Sequence, residues 1–199
     1  MRLMVLAVFL MAFAFDACAA GQPQDVVKGF DDALLAAMKM GKSGGISGRA
    51  AVIEPAIDQA FDVPEMTRLI LGSAGKTLQP DQMARIVTAF RQFTILSYAK
   101  NFDNFSDEKF EIDNPRFGGV GSVVVPTHLI PSDGSQPVQM DYVLKGTNDQ
   151  WKISDVLAEG AVSQMAARRS EFVGILRKDG ADGLIASLEN KIKALASDH

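Results

Sequence analysis

The side chains that could support catalysis or metal binding are few and scattered along the chain. There are two histidines and one cysteine among the 199 residues. A metal site would therefore need carboxylates for most of its ligands, and the carboxylates show no clustered spacing. His128 lies in a predicted strand, and the sequence has no nucleophile-elbow motif, so an exposed strand histidine is favoured over a Ser-His-Asp site. We expect no metal, no cofactor and no nucleophilic triad.

The segment Gly41-Lys42-Ser43 matches the end of a phosphate-binding loop. That motif needs another glycine five residues earlier, where this chain has Ala36, and it needs a preceding strand. A helical pattern precedes the segment here. We therefore interpret it as a solvated loop.

Asp155 is the polar residue of most interest. In the last predicted strand it has the same parity as Trp151, Ile153 and Leu157, so one sheet face should carry all four. If that face is the core, Asp155 is a partly buried carboxylate that needs a hydrogen-bond donor. It could act with Tyr142 as a general base in a small enzyme. The simpler interpretation, which we favour, is a carboxylate that holds loop or helix backbone in place.

Helical periodicity covers the first half and the end of the mature chain. Pro23 and Pro64 are expected to begin helices, and Gly41, Gly72 and Gly180 are expected to end them. A flexible loop is predicted over residues 41–48. The predicted helices span residues 23–40, 49–61, 64–72, 81–102, 162–178 and 181–196. The pair Arg168-Arg169 is typical of a solvated helix face, although one arginine could pair with an acid such as Asp155.

A period of two replaces the helical period in the middle of the chain. The predicted strands span residues 109–117, 121–130, 138–145 and 151–158. Their short connections favour an antiparallel meander. The sequence therefore predicts a single α+β domain, with a four-stranded antiparallel sheet and helices on one of its faces.

Nine apolar side chains form what we name the predicted wall. Six lie on one sheet face by parity, and three from the helices could oppose them. Such a wall suits either a filled core or a cavity for an apolar ligand, and periodicity leaves both alternatives open. The predicted wall consists of Ile70, Phe90, Phe93, Val123, Val125, Met140, Tyr142, Leu144 and Leu157.

The first twenty residues have the pattern of an export signal. Arg2 supplies a positive charge, residues 3–15 are apolar, and small residues lead to a cleavage site near Ala20. The apolar run is shorter than the roughly 20 residues of a membrane span. Phe15 and Asp16 do not fit a lipobox, which argues against lipid attachment at Cys18. We expect residues 1–20 to be a signal peptide and residues 21–199 a single exported domain.

The composition is that of a globular protein and excludes several classes. It is 47% hydrophobic and 22% charged. With a net charge of −4 and 20 basic residues, the chain lacks the excess of positive charge that is typical of nucleic-acid-binding proteins. One cysteine excludes a disulfide framework within a single chain.

A resemblance to a known family emerges from an ordered series of segments. Trp151-Lys152-Ile153-Ser154-Asp155-Val156, followed by Glu159-Gly160, resembles the MlaC-like auxiliary proteins of lipid ABC transporters, the "toluene tolerance" family. Further segments with the same likeness are Phe61-Asp62-Val63-Pro64, Leu69-Ile70-Leu71-Gly72, Ser97-Tyr98-Ala99 and Gly180-Ala181-Asp182-Gly183-Leu184. Tyr98-Ala99-Lys100-Asn101-Phe102 and Glu108-Lys109-Phe110-Glu111 are most similar to the hopanoid-associated HpnM branch. The broader family often places a tryptophan near Gly75, so no contact of that tryptophan is carried over.

The resemblance implies a periplasmic lipid carrier and not an enzyme. Its cargo would be a hopanoid or a phospholipid, exchanged with inner- and outer-membrane complexes of an ABC-type or resistance-type transporter. The implied fold is a curved antiparallel sheet around an apolar cavity that contains the predicted wall, and we expect a monomer. Two alternatives stay open: a protein-docking module whose apolar residues are all used by its core, and the small enzyme built on Asp155.

Overall fold

The computed structural model describes residues 21–147 and 150–197. The predicted signal peptide and Cys18 lie outside these ranges. Within them the chain forms five α-helices and seven β-strands. None of the described helices is both long enough and apolar enough to span a membrane.

Prolines and glycines set the helix boundaries. Pro23 and Pro80 occupy the first positions of their helices, where the missing amide hydrogen costs nothing. Gly41 ends the first helix with a φ of 60°, which confirms the predicted stop. The helices are α1 (Pro23–Met40), α2 (Gly45–Ala60), α3 (Val63–Gly75), α4 (Pro80–Asn101) and α5 (Gln164–Ala196).

The predicted flexible loop over residues 41–48 is wrong in its second half. A short 3₁₀ turn (Lys42–Gly44) leads directly into α2 at Gly45. The buried Arg49 side chain ties this region together, because it donates to the backbone oxygens of Gly41 and Ala99 at 2.7 Å each. These tertiary contacts outweigh the low helix propensity of the glycines.

Non-helical backbone interrupts two helices at predicted positions. Gly72 has a φ of 52° within α3, and Gly180 has a φ of 71° within α5. Both values belong to the left-handed region that favours glycine. The predicted helix ends at these residues are therefore confirmed as sharp changes of direction.

The predicted antiparallel meander is confirmed, with additional breaks. Pro115 precedes the second strand, and Pro126 separates the third from the fourth, since proline has no amide hydrogen for the ladder. The sheet order is β1-β4-β5-β3-β2, and β6 pairs with both β5 and β7. The strands are β1 (Lys109–Ile112), β2 (Arg116–Gly119), β3 (Ser122–Val125), β4 (Thr127–Ile130), β5 (Val138–Thr147), β6 (Gln150–Ala158) and β7 (Val162–Ser163).

A β-bulge in β6 changes which side chains face the helices. Val143 pairs with Asp155, but Leu144 pairs with Ile153, so Ser154 is the extra residue. Beyond the bulge, Val156 and not Leu157 lies opposite Tyr142, as its Cα partner. The predicted common parity of Ile153 and Leu157 is therefore wrong, because a one-residue slip moves every later side chain to the other face.

The core takes side chains from all five helices, and part of it lies between the sheet and α1. Val125, Tyr142, Leu144 and Ile153 are completely buried. The Phe30 ring of α1 lies edge-on to the Tyr142 ring, with centroids 6.0 Å apart. This half of the sheet face is filled.

Candidate functional site

A cavity of about 290 Å³ lies between α4, the start of α5 and one end of the β5–β6 pair. Its size is at the lower end of the roughly 300–1,000 Å³ typical of ligand pockets. Several aromatic and methionine side chains make its wall mainly apolar. The apolar wall consists of Phe61, Met66, Phe90, Phe93, Tyr98, Phe102, Met140, Val156, Ala158 and Met165.

The structure brings three residues of the predicted wall to this cavity. Phe90 and Phe93 reach it from α4, and Met140 reaches it from β5. Met140 lies opposite Ala158 in the ladder, so both strands contribute at the same end of the sheet. These three contacts agree with a ligand wall, and their role in binding stays a proposal.

The other six residues of the predicted wall lie elsewhere. Four of them, namely Ile70, Val125, Tyr142 and Leu144, have exposures of 1% or less and belong to the filled core. Val123 is half-buried and packs against that core. Leu157 pairs with Asp141, and the bulge places it on the sheet face opposite to Tyr142. These six residues therefore do not belong to the wall of this cavity. The helix α1 covers one half of the sheet face, and the cavity lies at the other half.

The cavity residues of α4 that the sequence analysis missed follow a helical spacing. Thr94, Ser97, Tyr98 and Asn101 continue the α4 face that begins at Phe90. Extending the spacing of three and four residues along α4 would have found them. Val156 had no comparable signal, because its facing depends on the β6 bulge.

Asp155 lines the cavity, and each of its carboxylate oxygens accepts structural hydrogen bonds. Its Oδ1 accepts from the backbone amides of Val156 at 2.7 Å and Met165 at 3.1 Å. Its Oδ2 accepts from the Ser163 hydroxyl at 2.5 Å. The carboxylate thus ties β6 to the beginning of α5, which agrees with the simpler interpretation of this residue.

Tyr142 does not meet Asp155 as the enzyme alternative requires. Its hydroxyl donates to Asp31 Oδ1 at 3.0 Å, inside the filled core. Burial, together with the nearby Asp31 charge, raises the pKa of Tyr142 well above its usual value. The Tyr142 hydroxyl and the Asp155 carboxylate therefore have different hydrogen-bond partners and form no hydrogen bond with each other.

Asp31 is a buried carboxylate that the sequence analysis missed. It is 2% exposed, and its Oδ2 has no hydrogen-bond partner among the described residues. Burial raises the pKa of Asp31 to about 7, while the Tyr142 hydrogen bond opposes that shift. The spacing of Val27, Phe30 and Leu34 on α1 would have placed residue 31 on the buried face.

Polar side chains surround the cavity opening. Asn101 and Gln164 line the cavity and are exposed, which marks where it meets solvent. Arg168 also lines it, with its guanidinium carbon 4.8 Å from the centre of the Phe93 ring. Within residues 21–147 and 150–197, no group of three or more potential metal ligands is assembled.

Comparison with known proteins identifies the family of this chain. The family model described as "MlaC protein" matches residues 28–190. The chain therefore belongs to the MlaC family, which confirms the resemblance noted in the sequence.

One curated relative and one solved structure extend the comparison. The chain is 26% identical over 123 residues to the intermembrane phospholipid transport system binding protein MlaC of Haemophilus influenzae. That alignment covers 60% of this chain and 57% of the relative, so the chain spans little more than half the relative's length. A phospholipid-binding protein from Ralstonia solanacearum, solved in complex with a phospholipid, superimposes with a TM-score of 0.76 at 21% identity. This match covers 89% of this chain and 100% of the other, and it confirms the α+β fold with its curved antiparallel sheet.

Proposed function

We propose that the chain is a periplasmic lipid carrier that shuttles a phospholipid between the inner and outer membranes. The observation that carries this proposal is the apolar cavity between α4, α5 and the β5–β6 pair. Membership of the MlaC family supports it, as do the names of the relatives, which describe phospholipid transport and phospholipid binding. The partners are the inner- and outer-membrane complexes of an ABC-type or resistance-type transporter.

The energetics of a carrier require a cavity but no catalytic group. Burying a sixteen-carbon chain contributes roughly 13 kcal/mol relative to water, at about 0.8 kcal/mol per methylene. A bilayer solvates the same chain similarly well, so little net affinity is needed and transfer runs in both directions. Both carboxylate oxygens of Asp155 accept structural hydrogen bonds, which supports a backbone-holding role for this residue and a function without catalysis.

The finer features of the proposal come from the sequence. Residues 1–20 act as a signal peptide cleaved near Ala20, and residues 21–199 form the single exported carrier domain, a monomer. Similarity to the HpnM branch makes a hopanoid the alternative cargo. The intact mass of the exported protein tests the cleavage site.

A matched pair of threonines on α4 tests the cavity. Thr94 lines it, whereas Thr88 is exposed on another part of the helix, and each hydroxyl donates to the carbonyl four residues earlier. Thr94→Phe places a phenyl ring in the lipid space, so we expect lipid uptake from phosphatidylglycerol vesicles to fall by about tenfold or more. Thr88→Phe removes an equivalent hydrogen bond outside the cavity and should retain wild-type uptake.

Uptake is measured as lipid that co-elutes with the protein in gel filtration. A wild-type protein that takes up lipid while only the Thr94 variant fails supports this cavity as the site. Equal uptake by both variants would exclude the cavity, and wild-type protein that remains free of lipid would exclude the carrier function.

A further inference from the structure

The cavity opening contains a cation at the boundary between the apolar wall and water. Arg168 lines the cavity, and its side chain is 33% exposed. The guanidinium carbon lies 4.8 Å from the centre of the Phe93 ring, within the range of a cation–π contact. Stacking on an aromatic ring fixes the plane of a guanidinium, so its donors have a defined direction.

The carboxylate beside Arg168 is shared with a second cation. Arg168 Nη1 lies 3.5 Å from Glu171 Oε2, which is the outer limit of a hydrogen bond. Lys191 Nζ lies only 2.8 Å from the other oxygen, Glu171 Oε1. Two cations and one carboxylate leave this cluster with a net positive charge at the opening.

The acid in the cavity wall does not form an ion pair with Arg168, whose carboxylate partner is Glu171. Asp155 is the one carboxylate among the described lining residues. Its two oxygens accept from two backbone amides and the Ser163 hydroxyl, all at the start of α5 or in β6. Apart from the long Nη1 contact with Glu171, the donors of Arg168 have no partner among the described residues and can reach a ligand.

Two neutral donors border the same opening. The side-chain amides of Asn101 and Gln164 are exposed where the cavity meets solvent. Neither amide forms a hydrogen bond within the described part of the chain. A ligand with an anionic head and an apolar tail would meet donors at the opening and aromatic side chains inside.

We propose that Arg168 binds the phosphate of a lipid whose acyl chains occupy the cavity, with Asn101 and Gln164 as additional donors. This inference rests on the lipid-carrier function proposed above. A guanidinium offers two parallel N–H groups that match two phosphate oxygens, a geometry that a lysine does not reproduce. The site therefore selects a glycerophospholipid over a lipid with the same chains and no phosphate.

The test compares two lipids and three variants. The ligands are phosphatidylglycerol and diacylglycerol with identical acyl chains, each offered alone as a detergent-free aqueous dispersion at equal concentration to the lipid-free protein. Arg168→Gln removes the charge. Arg168→Lys keeps the charge but loses the two parallel N–H groups of the guanidinium. Arg169→Gln is the matched control, because Arg169 is the adjacent exposed arginine and lies against Gly72 outside the cavity lining.

We expect Arg168→Gln to lower the phosphatidylglycerol load by about tenfold and to leave the diacylglycerol load unchanged. Arg168→Lys should fall between this variant and the wild type, and Arg169→Gln should match the wild type. An unchanged phosphatidylglycerol load in Arg168→Gln, or an equal loss in Arg169→Gln, would overturn the assignment while leaving the carrier function intact. Wild-type protein that binds neither lipid would instead overturn the carrier function itself.

Inorganic phosphate distinguishes a lipid headgroup from a free anion. Titrated alone and followed by calorimetry, it is expected to give no binding heat, because the acyl chains supply most of the affinity. Binding of free phosphate that Arg168→Gln abolishes would assign the site to the free anion and overturn the lipid assignment.

Discussion

The two ends of one sheet face are packed differently. At one end Tyr142, Leu144 and Ile153 are completely buried, and the Phe30 ring of α1 lies edge-on to Tyr142. At the other end Met140, Val156 and Ala158 border a cavity of about 290 Å³. Both ends carry apolar side chains in the same strands, so residue type does not separate them.

Helix placement accounts for the difference between the filled end and the cavity end. The helices α1, α2, α3 and α5 all contact the sheet, whereas α4 packs mainly on α2, α3 and α5. This arrangement leaves α4 as the far wall of a space that no helix fills. A binding space can therefore arise from where helices lie, with little change in the apolar pattern of the strands.

The largest expected effect comes from placing a charged residue at each end of the sheet face. Leu144→Asp puts an unpaired carboxylate in the filled end and should lower the free energy of unfolding by more than about 5 kcal/mol. Met140→Asp, at the half-buried cavity end, should cost only about 1–2 kcal/mol and yet abolish lipid uptake. Urea denaturation and a vesicle uptake assay measure the two effects. Equal destabilisation by both substitutions would remove the distinction between the ends.

The next effect concerns Asp31, which lies within the filled end. Its pKa is raised from 3.8 to about 7, so the folded state binds a proton that the unfolded state releases between these values. Stability should therefore fall as pH rises from about 4 to about 7, by roughly 4 kcal/mol, and level off above that.

A neighbouring aspartate provides the control for this pH dependence. Asp31→Asn should remove most of the slope, whereas Asp32→Asn alters an exposed carboxylate paired with Lys28 and should retain it. Denaturation midpoints at several pH values measure the slope. If the stability of Asp31→Asn kept the wild-type dependence on pH, a group other than Asp31 would be responsible for it.

The smallest effect concerns Asp155 at the cavity end. Asp155→Asn keeps one acceptor oxygen but loses the charge beside the first turn of α5, so we expect a cost of about 1–2 kcal/mol. Lipid uptake should remain at the wild-type level, because this carboxylate accepts hydrogen bonds from backbone amides. Asp81→Asn, in the first turn of α4, is the matched control and should cost less. Loss of lipid uptake in a stably folded Asp155→Asn protein would give this residue a direct part in binding.

Local sequence signals predicted the boundaries of the fold well. Pro23, Gly41, Gly72 and Gly180 act through their own backbone preferences, so their positions could be found without knowledge of the tertiary structure. The antiparallel meander followed from short connections between strands of period two. These features depend on residues close to one another in the chain.

The candidate site was predicted less well because it depends on non-local pairing. The extra residue Ser154 becomes a bulge only when β6 pairs with β5, and it reverses the facing of Leu157 and Val156. Phe90 and Phe93 were found because the helical period continues along α4. Asp31 was within reach of the same reasoning, since it falls on the apolar face of α1.

The central claim is that the cavity end carries a lipid. Native mass spectrometry of the exported, signal-cleaved protein, purified without detergent, tests it most directly. The account predicts a population heavier than the mature chain by the mass of one phospholipid, and the Thr94→Phe variant should lose that population while Thr88→Phe retains it. A folded wild-type protein that shows only the mass of the bare chain, both as purified and after incubation with phosphatidylglycerol vesicles, would contradict the account.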